Sequence, residues 1–266
     1  MPLSLSQITL RKDCLQVEFH PIDNTLIALF RTGEIKCFAP SGTALWSHTL
    51  PWIPIVFRIN VAGGYLVILG EGTVLFLYLQ SHRLAQFAVA SKVRLLELYK
   101  NCVMLGGNQK SISFITQNGK EFAHVEFDFF IRMIKSVPLS DYFLVYNDKR
   151  QLLCCDITGE SRWELGKYLI SGHIETSNDG ELCLFMKKPY ELIRFDVSGT
   201  QCFEISSQLP IKHLSLSPNG QFFIILDIEN NLRLYNRDME IVWQNVFDHV
   251  IDQTGSSAFN RGEVYL

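Results

Sequence analysis

The side chains best suited to chemistry in this 266-residue sequence are seven cysteines and seven histidines, and neither set falls at a working spacing. The histidines stand at 20, 48, 82, 124, 173, 213 and 249, with no H-E-x-x-H and no close pair. Cys14, Cys37, Cys102, Cys154, Cys155, Cys183 and Cys202 contain no C-x-x-C, whereas a tetrahedral zinc site needs paired ligands at short spacing. Cys154 and Cys155 are adjacent, and adjacent side chains on a strand point to opposite faces, so they cannot share a metal. The cysteines therefore read as small buried hydrophobes in a reducing compartment, which predicts a cytoplasmic protein. No G-x-S-x-G turn offers a serine nucleophile. Gly70-Glu71-Gly72 is a hairpin turn with no helix after it to hold a phosphate, and the stretch from Asp227 to Asn231 lacks the glycine of a calcium loop. No catalytic residue, metal or cofactor is expected.

What remains is binding chemistry. Lys110, then Asp148-Lys149-Arg150, then Lys187-Lys188 recur in loops about one repeat apart, which predicts a basic arc. Aromatic side chains stand in loops beside it: Phe129 and Phe130, and Trp52 between Pro51 and Pro54. Basic charge next to exposed aromatics suits a partner protein, an acidic peptide or a phosphorylated ligand. In a loop stiffened by two prolines, Trp52 reads either as a partner anchor or as a plug over a central channel. The partner-binding candidates are thus Trp52, Phe129, Phe130, Lys110, Lys149, Arg150, Lys187 and Lys188. A net charge of −3 and a pI of about 6.2 argue against a global pull toward nucleic acid or anionic membrane. No apolar run approaches the roughly 18 residues of a membrane span, so no membrane insertion is expected. The N-terminal MPLSLSQITLRKD has no charged segment leading into an apolar one, so no secretory signal is expected.

These loops are spaced by an internal repeat. Residues at one turn position, Gly42, His82, Gly119, Gly159, Gly199 and Met239, are separated by 40, 37, 40, 40 and 40 residues. Apolar runs of about six residues precede each turn at the same step: TLIALF (25–30), YLVILG (65–70), CVMLGG (102–107), YFLVYN (142–147), ELCLFM (181–186) and QFFIIL (221–226). They are short for helices and match strands buried on both faces. A third series of strand-like segments precedes those, joined through turn signals such as Gly63-Gly64 and Pro218-Asn219-Gly220. Four strands per ~40 residues is the period of a propeller blade. The repeated aromatics Trp46, Trp163, Phe203 and Trp243 stand four residues after the turn, where outer strands of neighbouring blades pack.

The hairpins carry a resemblance. CDITGESRW, FDVSGTQCF and FAPSGTALW resemble the repeat of quinoprotein-like propellers, and Ser217-Pro218-Asn219-Gly220 resembles the S-P-[DN]-G segment of WD-repeat propellers. Gly172-His173 is the one Gly-His, and no Trp-Asp occurs. The resemblance covers nearly the whole chain at the level of the repeat. It implies an all-β propeller serving as a rigid platform for other proteins rather than an enzyme.

The expected architecture is a single domain over 1–266 with seven blades at about 14–50, 51–89, 90–127, 128–170, 171–210, 211–247, and 248–266 joined by 1–13. In the seventh, HVIDQTGSS and GEVYL would pair with an N-terminal strand. The expected function is a non-catalytic interaction scaffold within a larger intracellular assembly. The alternatives are an enzyme with a central-channel site, a hydrolase or lyase, or a binder of an acidic, phosphorylated or nucleic-acid ligand through the basic loops.

Overall fold

The computed structural model describes residues 10–11, 13–23, 25–60, 62–107, 109–166 and 173–247. They form 24 strands and no helix, so no described helix is long and apolar enough to cross a membrane. The strands fall into six four-stranded antiparallel sheets, each built from consecutive segments of chain. The first blade is β1 (Cys14–Phe19), β2 (Leu26–Phe30), β3 (Glu34–Phe38) and β4 (Ala44–Thr49). The second is β5 (Pro54–Ile59), β6 (Tyr65–Gly70), β7 (Thr73–Tyr78) and β8 (Leu84–Ala88), and the third is β9 (Val93–Tyr99), β10 (Cys102–Gly107), β11 (Ser111–Thr116) and β12 (Glu121–Glu126). The fourth is β13 (Ile131–Ser136), β14 (Tyr142–Asn147), β15 (Leu152–Asp156) and β16 (Ser161–Leu165). The fifth is β17 (Ile174–Thr176), β18 (Cys183–Lys188), β19 (Glu191–Phe195) and β20 (Gln201–Ser206). The sixth is β21 (Ile211–Leu216), β22 (Phe222–Asp227), β23 (Asn231–Asn236) and β24 (Ile241–Val246). The chain divides into two compact units, Met1–Glu126 and Phe127–Leu266, with three blades in each.

This is an all-β, β-propeller fold with six blades among the described residues, and the expectation of seven is corrected. Pairing of β1 with β2, starting at Cys14, makes the first blade complete, and each later blade is likewise closed by its own hairpins. No described strand is left over to join another blade. The segments expected to build a seventh, 248–266 and most of 1–13, lie outside the described residues.

Burial follows the strand order inside each blade. The second strands are covered on both faces: β2, β6 and β10 are buried at every position. That is why their sequences run apolar without alternation. The fourth strands alternate, with exposed positions between half-buried ones in β4 and β8, and this gives them a period of two. Phe57, Phe76 and Phe114 in the first unit, and Phe143, Phe185 and Phe223 in the second, are essentially inaccessible. Burying a side chain of that size contributes about 1.5–3 kcal/mol.

All six residues of the turn series have left-handed backbone: Gly42, Gly119, Gly159 and Gly199 at φ of 85°, 80°, 86° and 83°, His82 at 50° and Met239 at 68°. Positive φ favours glycine there, and at Gly119 and Gly199 an aromatic ring also leaves no room for a side chain. Trp163 lies on Gly199 of the next blade, so close that a Cβ at Gly199 would stand 2.7 Å from the indole. The same indole donates its N–H to the Val197 carbonyl at 2.8 Å and meets Phe195 edge-on at 5.4 Å. Phe87 covers Gly119 in the same way, and Trp46 meets His82 edge-on at 6.1 Å. The expected packing between blades therefore holds for Trp46 and Trp163. Trp243 packs on the core of its own blade, and the side chain of Phe203 lies outside the described part.

The Asp of the quinoprotein-like hairpin has a mechanical reason. Asp156 Oδ1 accepts from the Thr158 hydroxyl at 2.6 Å and from the amides of Thr158 and Glu160 at 2.8 and 3.1 Å. Asp196 repeats the pattern with Ser198 and Thr200. One carboxylate thus organises the tight third-to-fourth turn. The hydrogen bond from Thr158 holds Asp156 below its ordinary value of 3.8. At Asp196, burial pushes upward, but the bonds from Ser198 and Thr200 outweigh it and the result is also lowered. Groups depressed by folding stabilise the fold above their unfolded value, and that contribution is lost as pH falls through the folded one. Chemical denaturation midpoints should therefore fall as pH drops below about 4. In Asp156→Asn/Asp196→Asn the acid-dependent slope should be shallower, and an unaltered slope would remove these two turns as its source.

Candidate functional site

The first strands carry a ladder of charge that repeats with the blades. Glu18, Arg58 and Glu97 stand opposite Ile27, Val67 and Met104, one equivalent position per blade in the first unit. Arg58 bridges the two acids, with Nη1 3.2 Å from Glu18 and Nε 2.8 Å from Glu97. Glu18 also accepts the Ile59 amide at 3.1 Å, and Gln16 exchanges two 3.0 Å hydrogen bonds with the backbone of Phe57. In the second unit the equivalent positions are Lys135, Glu175 and Ser215, opposite Leu144, Leu184 and Ile224. Lys135 meets Glu175 at 3.0 Å, and Thr176 donates to the Ser136 carbonyl at 2.7 Å. Opposite charges one blade apart fix the register between neighbouring first strands, which have no ladder of backbone bonds between them. This feature escaped sequence reasoning. Its signal was a charged residue five to seven positions before the start of each of the first five buried runs, with sign alternating from blade to blade.

The candidates read from the loops are distributed as follows. In the second unit, Lys149 Nζ lies 2.7 Å from Asp128 and 5.5 Å from the Phe129 ring centroid. Phe129 is buried and stacked on Phe127 at 4.9 Å, whereas Phe130 is 43% exposed. Arg150 is exposed at the left-handed position of its turn, φ 64°. Lys187 meets Glu204 at 3.1 Å and Glu191 at 3.6 Å, and Lys188 meets Glu191 at 2.7 Å. The Lys188 hydrogen bond holds the Glu191 carboxyl below its usual range. Lys149, Lys187 and Lys188 are therefore paired with carboxylates three to twenty-one residues away in sequence. Lys110 is exposed in the turn between β10 and β11 of the first unit. Trp52, also in the first unit, is half-buried with its ring seated on Gly70 and against the core of the first two blades.

The same loops also carry apolar side chains in the open. In the second unit Phe130 precedes β13, Tyr190 (46% exposed) forms the β18–β19 turn and Ile228 (55%) the β22–β23 turn. These connections share one end of the blades. Phe130 exchanges bonds with Asp148 at 2.9 and 3.1 Å, Ser207 donates to the Tyr190 carbonyl at 2.7 Å, and Ile228 donates to the Pro210 carbonyl at 3.0 Å. Ile53, 73% exposed, precedes β5 in the first unit just as Phe130 precedes β13.

The described residues contain no group of three or more His, Cys, Asp or Glu placed to hold a metal ion. Burial pushes the thiols of Cys102, Cys154 and Cys155 up to about 12, so they are neutral thiols at physiological pH and poor nucleophiles. The fold and its repeated, structurally paired side chains thus define a β-propeller. No protein-family model and no curated protein matches the chain.

Proposed function

We propose that this chain is a non-catalytic interaction platform, a subunit or domain of a larger intracellular assembly, which captures another protein chain through the loop end of its blades. The observation that carries this reading is the recurrence of Phe130, Tyr190 and Ile228, one solvent-facing apolar side chain per blade at one end of the second unit. Exposed apolar side chains among polar groups are a usual mark of a protein contact. The lysines of these loops are paired with carboxylates, which weighs against an acidic ligand held by net positive charge. The six described cysteines are all unpaired, which supports a reducing compartment. Within propellers, the Asx-type hairpin turns favour the quinoprotein-like group over WD repeats, as a kinship of repeat and not of cofactor.

The test is co-purification from the native source of the chain carrying Phe130→Asp, Tyr190→Asp and Ile228→Asp together. These exposed sites should leave the thermal midpoint unchanged. Stoichiometric partners recovered with the unaltered chain should be lost by at least tenfold, since exposed apolar anchors replaced by charge typically cost more than ~1.4 kcal/mol each. Undiminished recovery of the same partners would overturn the reading.

A further inference from the structure

Between the first and second blades, at the end that carries the first-to-second and third-to-fourth turns, the first unit holds a cleft of about 360 Å³. Its wall includes Trp46, and its rim includes Ile22, Leu45 and Leu79. Asp23 is the only acidic side chain that lines it, and no lysine or arginine does, among the described residues. The Asp23 carboxylate is fixed rather than mobile. Its Oδ1 accepts the Thr25 amide at 3.0 Å and the Thr25 hydroxyl at 2.8 Å, and His20 Nδ1 lies 2.8 Å away, an ion pair only when the imidazole is protonated. Oδ2 has no partner among the described residues, and the Asp23 side chain is 56% exposed. Trp46 is held from behind by the core of the first two blades and edge-on by His82.

The arrangement binds rather than reacts. Cys37 and His20 both line the cleft, yet His20 Nε2 is committed to the Gly63 carbonyl at 2.8 Å, and burial raises the Cys37 thiol. A glycine is required at 63, where φ is +67° and any Cβ would collide with the His20 ring. What the cleft offers is therefore a preorganised carboxylate oxygen beside an indole and an apolar rim. That combination matches a cation on a methylene stem: the charge pairs with the carboxylate while the stem and the flat guanidinium or ammonium lie along the aromatic wall.

We propose that this cleft takes an arginine or lysine side chain of a partner protein, with Asp23 as its counter-charge and Trp46 as its wall. The cleft is lined by first-to-second and third-to-fourth turns, whereas Phe130, Tyr190 and Ile228 stand in the other class of connection, so either assignment can fail while the other stands.

The experiment is an amide and indole NMR titration of the full chain with Nα-acetyl-arginine methylamide, with Trp46→Phe identifying the Trp46 indole signal. Saturable shifts are expected at the Trp46 indole and at the Gly63 and Gly64 amides. The lysine analogue should bind there too, and the neutral citrulline analogue at least tenfold more weakly. Asp23→Asn should weaken the arginine probe by a similar factor. Equal binding of citrulline, undiminished binding by Asp23→Asn, or no saturable shift at these three groups would overturn the proposal. Tighter binding of putrescine than of the two amino-acid probes would also overturn it, by assigning the cleft to a free polyamine. If Asp23→Asn loses its amide dispersion, the citrulline comparison on the unaltered chain decides.

Discussion

Replacing Arg58 by alanine is expected to lower the unfolding free energy by roughly 2–4 kcal/mol, the cost of removing the cation that bridges two acids. Arg58 is the middle of the Glu18–Arg58–Glu97 bridge, and Glu97 is its buried member, with a side chain only 7% exposed. Glu18 is about a quarter exposed, and water reaching it keeps the loss below the full range for a buried pair. Adding Glu97→Gln should recover part of the loss, because a neutral amide costs less to bury than a carboxylate without a counter-charge. Arg58→Lys should fall between, since one ammonium cannot span two acids as a fork of N–H donors does. Urea denaturation reads all three. A loss below about 0.5 kcal/mol for Arg58→Ala, within the range of ordinary surface changes, would mean that the ladder does not hold the blades in register.

Gly199→Ala is expected to cost roughly 2–4 kcal/mol, large for the addition of one methyl group. Two effects add. The residue sits at φ 83°, where a side chain is strained, and the methyl would occupy the space of the Trp163 indole. Displacing the indole also breaks its hydrogen bond to the Val197 carbonyl. A double-mutant cycle separates the parts. In a Trp163→Ala background, Gly199→Ala should retain only the backbone strain, about 1–2 kcal/mol. Strict additivity of the two substitutions would contradict the stacking of one blade's aromatic on the next blade's turn.

The repeat made most of the blade structure legible before any coordinates. A buried run such as YLVILG announces a second strand because both of its faces are covered, and β6 occupies those same six residues. The turn glycines announced themselves by period, and their positive φ values give the physical cause. Two things were less legible. The number of blades depended on terminal segments whose pairing no local pattern specifies, whereas Cys14–Phe19 completes its own blade by hairpin pairing. The pairing of the loop charges was hidden for a different reason. Lys149 and Asp128 are 21 residues apart, and Lys187 and Glu204 are 17 apart, so a cluster of lysines in sequence becomes a set of ion pairs in space. The charged ladder was hidden because Glu18, Arg58 and Glu97 are each unremarkable alone and acquire meaning only when first strands are set side by side.

The most direct test of the interaction reading is amide hydrogen exchange of the chain, free and within its native assembly. The reading predicts slowed exchange on assembly at residues 128–130, 190–191 and 228–230, with the opposite turns at 139–141 and 177–181 unchanged. Slowed exchange confined to those opposite turns, or no change at the three loops in a verified complex, would contradict it.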